Sequence, residues 1–407
     1  MNFDNKNTRA KRLIVLQPQF SLTGSARLLA SVLGASGFGR TEGWEREIWA
    51  ELPGALDSDP APSDSWHWLK PSWAHERGLL CRIGMRLWWE PVMLPLALRK
   101  LREASARADL VLANTVANFP ALEALDVEVP LVVFVHELEL SIMRLLTPQQ
   151  AHWLFRRANG FIVPSEAAAV SLVRWHGVDR NKITVISPWL YARPVEGGEF
   201  SLKWERGTRV QNRLAARKQL GLPEGVRLVL GCGYVDWVKG PDLFIDAVSA
   251  LMGDKDFDDT RFVWVGKNCD PETSKFLQGY ARHRGVEDRL SFVAETHQWE
   301  NWFSAADALA LTSRAESFSL VALEAACAGI PVAFFKAADG PAEFLAPPLG
   351  WGAAELSGAG MAAALRDALA AKDKAVVRAA AAQLKSRHDE TRQVARVWAE
   401  LAKHARS

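Results

Sequence analysis

The chain has 407 residues, too many for one ordinary core and enough for two domains of roughly 200 residues each. Hydrophobic residues make up 49% and charged residues 24%, a globular mix, and a formal net charge of +2 gives no bulk attraction for nucleic acid. Four cysteines (Cys81, Cys232, Cys269 and Cys327) show no two-residue pairing, which leaves out a zinc or redox motif and suits buried, reduced thiols.

The polar stretch Met1–Arg12 runs directly into the apolar Leu13–Leu16. It lacks the longer apolar region and small-residue cleavage site of a secretory signal, and no stretch reaches the length of a membrane span. A cytoplasmic protein is the expectation. Arg12–Leu16 reads as a short strand, and Ala26–Leu33 as the helix after a Ser/Gly turn. Residues 54–65 are rich in Pro, Asp and Ser and read as an exposed loop. Strand-like runs follow at Leu110–Ala113, Leu131–Val135, Phe161–Val163 and Ile183–Ile186, with helical stretches between them. Continuous Val/Ile/Leu runs alternating with helices predict a parallel sheet covered on both faces.

The rhythm pauses between about Pro188 and Gly225. Pro194, Gly197, Gly198 and a basic run from Lys203 to Lys218 read as a connection and a first helix of a second domain. Strands then recur at Arg227–Cys232, Arg261–Val265, Leu290–Val293, Ala308–Leu311 and Val332–Phe335. Helices are predicted over Asp242–Leu251, Thr273–His283, Trp299–Ala305 and Leu320–Ala328, and the Ala-rich tail from Met361 reads as helical throughout. Two doubly wound α/β halves in tandem follow. Such sheets bind ligands outside the carboxyl ends of their strands. The expected boundaries are 1–190, 191–390 and a terminal helix over 391–407 that packs back on the first domain.

Five places could carry chemistry. Glu316 and Glu324 flank seven residues where a strand gives way to a helix; the N–H groups at Phe318, Ser319 and Leu320 would form an anion site at that helix's N-terminus. Taken alone, Glu316 could be a helix N-terminal charge and Glu324 a solvated face. Lys239, in the loop between Gly231 and Gly240, is placed to meet phosphate as a point charge, or is a plain surface lysine. His136 stands just past a buried strand and could equally be structural. Gly24 lies in a tight turn where backbone could approach a ligand, although the spacing is not that of a dinucleotide fingerprint. The turn from Asp339 through Gly340 to Glu343 opens a short helix that Glu343 could simply cap.

Together these features resemble the retaining GT-B glycosyltransferases of family 4, firmly from Leu228 to Glu343 and more loosely before Pro188. The lysine–glycine pair is matched by Lys239 and Gly240. The paired glutamates are matched by Glu316 and Glu324 with Phe318, Leu320 and Leu323 between them, continued by Ala325, Ala326, Gly329 and Pro331. His136 matches the histidine closing a first-domain strand, and Gly340–Glu343 the glycine-rich turn. The resemblance implies an α/β fold of two Rossmann-like domains facing across a cleft, and an enzyme moving a sugar from a nucleotide-diphosphate donor to a glycan or lipid-linked acceptor, as in bacterial surface-polysaccharide synthesis, with retention and without metal or cofactor. It implies that Glu316 meets the donor sugar, Glu324 the ribose and Lys239 the diphosphate, and that His136 lines the sugar pocket; Gly24, Tyr234, Phe318, Ser319 and Leu320 complete the donor site. Two positions depart from the pattern: Tyr234 stands where an arginine usually shares the diphosphate, and Ser319 replaces a frequent glycine. A nucleotide-sugar epimerase and a non-catalytic sugar-nucleotide-binding module stay as alternatives. The acidic pairs Asp57/Asp59 and Asp256/Asp258 do not follow buried strands, so no metal site is predicted.

Tryptophan occurs 17 times. Trp66, Trp68, Trp73, Trp88 and Trp89 alternate with Lys70, Arg77, Arg82, Arg86, Arg99 and Lys100. That pattern suits either first-domain packing with a solvated basic face, or a surface docked peripherally on an anionic membrane.

Overall fold

The structure is a computed structural model. It describes residues 9–19, 23–34, 44–52, 65–70, 85–190, 193–195, 198–200, 208–266, 271–294, 299–370 and 373–406. The chain forms two compact units. One contains residues 1–191 with 390–407, and the other residues 192–389.

The first unit is built on seven parallel strands: β1 (Lys11–Gln19), β2 (Trp44–Leu52), β3 (Ser65–Trp68), β4 (Leu110–Asn114), β5 (Leu131–Phe134), β6 (Gly160–Val163) and β7 (Ile183–Val185), in the order β3-β2-β1-β4-β5-β6-β7. Strands β4, β5 and β6 are buried along their whole length, as their unbroken apolar runs require. A two-stranded hairpin, β8 (Arg193–Val195) and β9 (Gly198–Phe200), opens the second unit. The sheet there comprises β10 (Arg227–Cys232), β11 (Thr260–Val265), β12 (Leu290–Val293), β13 (Ala308–Leu311), β14 (Val332–Phe335) and β15 (Gly350–Ala353), ordered β12-β11-β10-β13-β14-β15. Both sheets are parallel and doubly wound, in Rossmann-like order. In each, the strand order reverses beside the first strand: between β1 and β4, and between β10 and β13. Connections leave those neighbours in opposite directions, and a crevice opens at their carboxyl ends.

Two residues of the basic run before β10, Arg213 and Arg217, turn inward, while Lys218 is exposed. Arg213 on the helix Thr208–Gln219 reaches the Asp307 carboxylate at 2.6 Å, and Asp307 accepts the Leu228 N–H at 2.9 Å. The Ala-rich tail is not one helix. It divides into Gly358–Ala370, Lys374–Arg387 and Glu390–His404. Asp373 starts the middle helix by accepting the N–H groups of Ala375 and Val376 at 2.9 and 3.1 Å. The last helix belongs to the first unit. Trp398 Nε1 donates to the Val32 carbonyl at 3.1 Å, Ser31 Oγ donates to Glu390, Arg396 donates to the Val185 carbonyl at 2.7 Å, and the His404 ring covers Gly160.

Tryptophan serves the core at Trp189 and Trp264, both fully buried. In the Trp66–Leu101 segment, residues 71–84 lie outside the described residues. Of the remainder, the Trp66 and Trp68 rings meet at 5.6 Å, and Trp89 Nε1 donates to the Leu69 carbonyl at 3.0 Å. Ser65, placed in the predicted loop, begins β3; residues 53–64 are outside the described set. No described helix is long and apolar enough to cross a membrane. Cys232 and Cys327 are free thiols, and burial pushes that of Cys327 up to about 12; Cys81 and Cys269 fall outside the described residues.

Candidate functional site

In the second unit the site grows from the two strands flanking the reversal point. After β10, the loop from Gly233 to Gly240 leads into the helix Pro241–Leu251, which opens with proline and an acidic Asp242 in its first turn. Asp236 Oδ1 accepts the Lys239 N–H at 2.9 Å, Thr312 Oγ1 donates to the Lys239 carbonyl at 3.1 Å, and the Arg314 N–H donates to the Val238 carbonyl at 2.8 Å. The Arg314 guanidinium grips the same loop. It binds both carboxylate oxygens of Asp242 at 2.9 and 2.6 Å, donates to the Trp237 carbonyl at 2.6 Å, and stacks 4.7 Å over the Trp237 ring. Gly240 has φ +67°, and a Cβ there would overlap the Thr312 carbonyl oxygen. Backbone conformation and contact with the β13 loop therefore both demand glycine.

The β13 loop supplies the partner charge. Lys239 Nζ lies 2.6 Å from Glu316 Oε2, which also accepts the Ser313 hydroxyl at 3.0 Å. Burial works against the Lys239 charge, but the Glu316 carboxylate outweighs it, with help from Asp236 and Cys232, and holds the ammonium above its ordinary range. The Glu316 backbone is clamped on both sides. Its N–H donates to the Ala338 carbonyl at 3.0 Å, and its carbonyl accepts the Gly340 N–H at 3.0 Å. A Cβ on Gly340 would overlap the Ser317 carbonyl, so the glycine-rich turn is there to let two backbones touch.

Ser319 then caps the helix Leu320–Cys327, its Oγ accepting the Ala322 N–H at 3.3 Å. That helix starts beside the Lys239–Glu316 pair, and its first-turn N–H groups have no intrahelical acceptors of their own. Glu324, on the same helix, is only 4% exposed, which removes the reading of it as a solvated face. Phe318 stacks on Phe344 at 4.4 Å between ring centres, and Tyr234 is exposed on the Lys239 loop.

The first unit gathers a second set at its own reversal point. His136 Nε2 lies 2.8 Å from Asn114 Oδ1; Asn114 Nδ2 donates to Gln17 Oε1 at 2.7 Å and to the Ser25 carbonyl at 3.1 Å. Gly24 opens the helix Gly24–Val32 that carries Ser25. Thr115 Oγ1 donates to Glu137, whose other carboxylate oxygen accepts the His136 N–H at 2.9 Å. Burial drives the Glu137 carboxyl up against these bonds. Sequence reasoning singled out His136 and Gly24 but missed Gln17, Asn114, Thr115 and Ser313. The available signal was a polar residue closing an apolar strand run: Gln17 after Leu13–Leu16, and Asn114 after Leu110–Ala113.

Backbone strain marks the same places. The non-glycine residues with positive φ among the described residues are Thr115 (100°), Ser319 (79°) and Asp339 (68°). One lies in the His136 network and two flank the Glu316 loop, where surrounding contacts must hold them. Asp256 sits in a short 3-10 turn, Lys255–Phe257, bound to Asp254; the pair Asp57/Asp59 is outside the described residues.

Comparison with known proteins agrees with this layout. The family model described as Glycosyltransferase Family 4 matches residues 49–190, and that described as Glycosyl transferases group 1 matches residues 212–384. The D-inositol 3-phosphate glycosyltransferase of Xylanimonas cellulosilytica is 31% identical over 182 residues, covering 43% of this chain and 40% of that protein. The enzyme of that name from Streptomyces coelicolor is 34% identical over 184 residues, with 43% and 40% covered. The chain thus spans about 40% of the length of these curated relatives. HepE of Anabaena, solved in complex with UDP, superposes with a TM-score of 0.71 at 17% identity over 96% of this chain and 100% of its own. WaaG, a glycosyltransferase involved in lipopolysaccharide biosynthesis, gives 0.59 at 18% identity over 93% and 95%. With one model on each unit, the chain belongs to the group 1 glycosyltransferases of family 4.

Proposed function

We infer that the protein transfers a sugar from a nucleotide-diphosphate donor to a glycan or lipid-linked acceptor, with retention of configuration and without a metal. The observation that carries this reading is the Lys239–Glu316 pair, 2.6 Å apart at the reversal point of the second sheet and beside the start of the helix Leu320–Cys327. Breaking the anomeric bond builds negative charge on the departing diphosphate. A lysine kept charged and a helix N-terminus are fixed where they can stabilise it without reorganising. Glu316 positions the donor sugar and Glu324 the ribose. Neither glutamate acts as the acid or nucleophile of a hydrolase: Glu316 is committed to Lys239 and Ser313, and Glu324 is buried in a helix. The acceptor attacks on the face the diphosphate leaves. HepE has been solved with UDP-glucose, which makes uridine diphosphate sugars the first donors to test.

The glutamates separate in kinetics. Glu324→Ala is expected to weaken nucleotide binding with a smaller change in turnover, because ribose contacts persist from ground state to transition state. Glu316→Ala is expected chiefly to lower kcat, by about 10²-fold, because the sugar must be held as its bond breaks. Nucleotide diphosphate titration beside steady-state kinetics checks this; equal losses of affinity in both variants would refute the division. Transfer is expected to continue in excess chelator. Complete loss restored by magnesium or manganese would replace the lysine-and-helix account with a metal one. Product analysis with donor alone separates transfer from epimerisation.

A cytoplasmic protein docked peripherally on the membrane that holds a lipid-linked acceptor fits the same reading. Its support is the exposed Val92, just before the helix Leu94–Ala106, and the exposed Leu96, Arg99 and Lys100 within that helix.

A further inference from the structure

Arg314, just before Glu316 in the β13 loop, ties that loop to the one carrying Lys239. Its N–H donates to the Val238 carbonyl at 2.8 Å. Nη1 donates to the Trp237 carbonyl at 2.6 Å and to Asp242 Oδ1 at 2.9 Å, and Nη2 donates to Asp242 Oδ2 at 2.6 Å. These contacts bracket Lys239: Trp237 and Val238 come immediately before it, and Asp242 follows it in the first turn of the helix Pro241–Leu251. Trp237 is 61% exposed, so burial does little to hold this stretch, and the guanidinium stacked 4.7 Å over its ring supplies the hold. A planar fork on both carboxylate oxygens fixes orientation as well as distance. What it orients is the backbone from which the Lys239 side chain reaches Glu316 Oε2 at 2.6 Å.

Charge alone would make Arg314 a ligand of the diphosphate, standing in for the arginine that Tyr234 replaces. Its donors are largely committed elsewhere. Both Nη1 hydrogens are used, on Trp237 and Asp242, and Nη2 donates to the same carboxylate. That carboxylate offsets the charge, and the Arg314 side chain is only 12% exposed.

We propose that Arg314 and Asp242 are positioning residues that set the Lys239 ammonium against Glu316, and through Lys239 govern the rate of sugar transfer, without meeting the donor themselves. That the rate is one of sugar transfer rests on the transferase reading above; the placement of Lys239 does not. Asp242 gives the idea a sign of its own. Asp242→Asn removes a negative charge near an anionic diphosphate, so electrostatics alone would favour donor binding and turnover. Positioning requires the opposite, a slower enzyme, because the amide no longer accepts both arms of the fork.

The experiment compares Arg314→Met, Arg314→Lys and Asp242→Asn in the full chain, each with a melting curve. One readout needs no donor: brief acylation with acetic anhydride at pH 9, followed by peptide mass spectrometry at Lys239 and at Lys275, whose side chain is 74% exposed. Only the unprotonated amine reacts. Burial works against the Lys239 charge, but the Glu316 carboxylate outweighs it and holds the ammonium above its ordinary range, so wild-type Lys239 is expected to label about tenfold more slowly than Lys275 for each pKa unit between them. In Arg314→Met and Asp242→Asn that difference is expected to be largely lost, because burial persists while the carboxylate moves away. The other readout is steady-state kinetics with a panel of uridine, guanosine and adenosine diphosphate sugars. Arg314→Met is expected to lower kcat by about 10²-fold, the cost of misplacing a group by roughly 1 Å, with little change in KM. Arg314→Lys should recover part of that rate. Lys239→Ala/Arg314→Met should be no slower than Lys239→Ala, since Arg314 acts through the lysine. Wild-type labelling of Lys239 in Arg314→Met overturns the proposal, and so does a double variant whose two losses multiply, which would make Arg314 a ligand of the diphosphate. If Arg314→Met does not fold, Asp242→Asn, which keeps the size of its side chain, decides by the same two readouts. Altered labelling in a protein that turns over no nucleotide sugar upholds the placement of Lys239 and refutes the transferase reading instead.

Discussion

Replacing Lys239 by alanine is expected to lower kcat/KM for sugar transfer by about 10²–10³-fold, the usual cost of removing one preorganised group that meets developing negative charge. The substitution acts twice. On the proposed reading it removes the positive charge that meets the diphosphate, and it leaves Glu316, whose side chain is 11% exposed, with the Ser313 hydroxyl but without its cation. A carboxylate in that position would repel the leaving group. Lys239→Ala should therefore be worse than the double variant Lys239→Ala/Glu316→Gln, and the ratio of the two reads the repulsion. Lys239→Arg should recover only part of the rate, since a planar fork does not reproduce a point charge at 2.6 Å from one carboxylate oxygen. Steady-state kinetics with a melting curve for each variant checks the series. A Lys239→Ala enzyme within threefold of wild type would show that the helix N-terminus alone carries the diphosphate.

Gly240→Ala is expected to cost about 2–5 kcal/mol of stability, combining roughly 1–2 kcal/mol for a left-handed residue with a Cβ and 1–3 kcal/mol for forced contact. The contact is with the Thr312 carbonyl, on the loop that also carries Ser313 and Glu316. Relief requires the two loops to part, which would separate Lys239 from Glu316, so transfer should fall with stability. Gly221→Ala is the control: its φ is +65°, nearly the +67° of Gly240, but a Cβ there meets nothing within 4 Å. The two variants share the conformational cost and differ in the overlap. Denaturant unfolding should find Gly240→Ala less stable than Gly221→Ala by at least about 1 kcal/mol. Equal losses would mean that the loops tolerate separation.

How much could be read in advance depended on how plainly each element announced its burial. Strands such as β4, β10 and β13 are unbroken apolar runs and stood out. Strand β2 did not, because Glu45, Arg46 and Glu47 interrupt it. The structure accommodates those charges one by one: Arg12 reaches Glu45 at 3.3 Å, and Arg46 donates to the Leu33 carbonyl at 2.7 Å. Strand β15 consists of Gly350, Trp351, Gly352 and Ala353, without a β-branched residue, and its place in the sheet comes from pairing with β14. In the tail, alanine is as good within a helix as near its end, so the break at Asp373 left little trace beyond the capping residue itself. The Lys239 and Glu316 loops were legible because their residue types and spacing form a dense pattern. The Asn114 network was not, since a single polar residue closing a strand looks the same whether it faces solvent or orders a histidine. Its meaning depends on Gln17, 97 positions away in the chain.

The return of the final helix to the first unit bears on the order in which the protein can be assembled during synthesis. Strands β1 to β7 leave the ribosome before the second unit, yet Gly160, Val32 and Ser31 do not meet the helix that covers them until Glu390 to His404 have been made. The second unit, continuous from residue 192 to 389, is complete before then. The first unit is completed only after the second, and until the Glu390–His404 helix has been made it carries an uncovered groove where that helix will lie. Exposure of that kind is what chaperones recognise in nascent chains. It makes the first unit the more aggregation-prone half whenever synthesis stalls in the second.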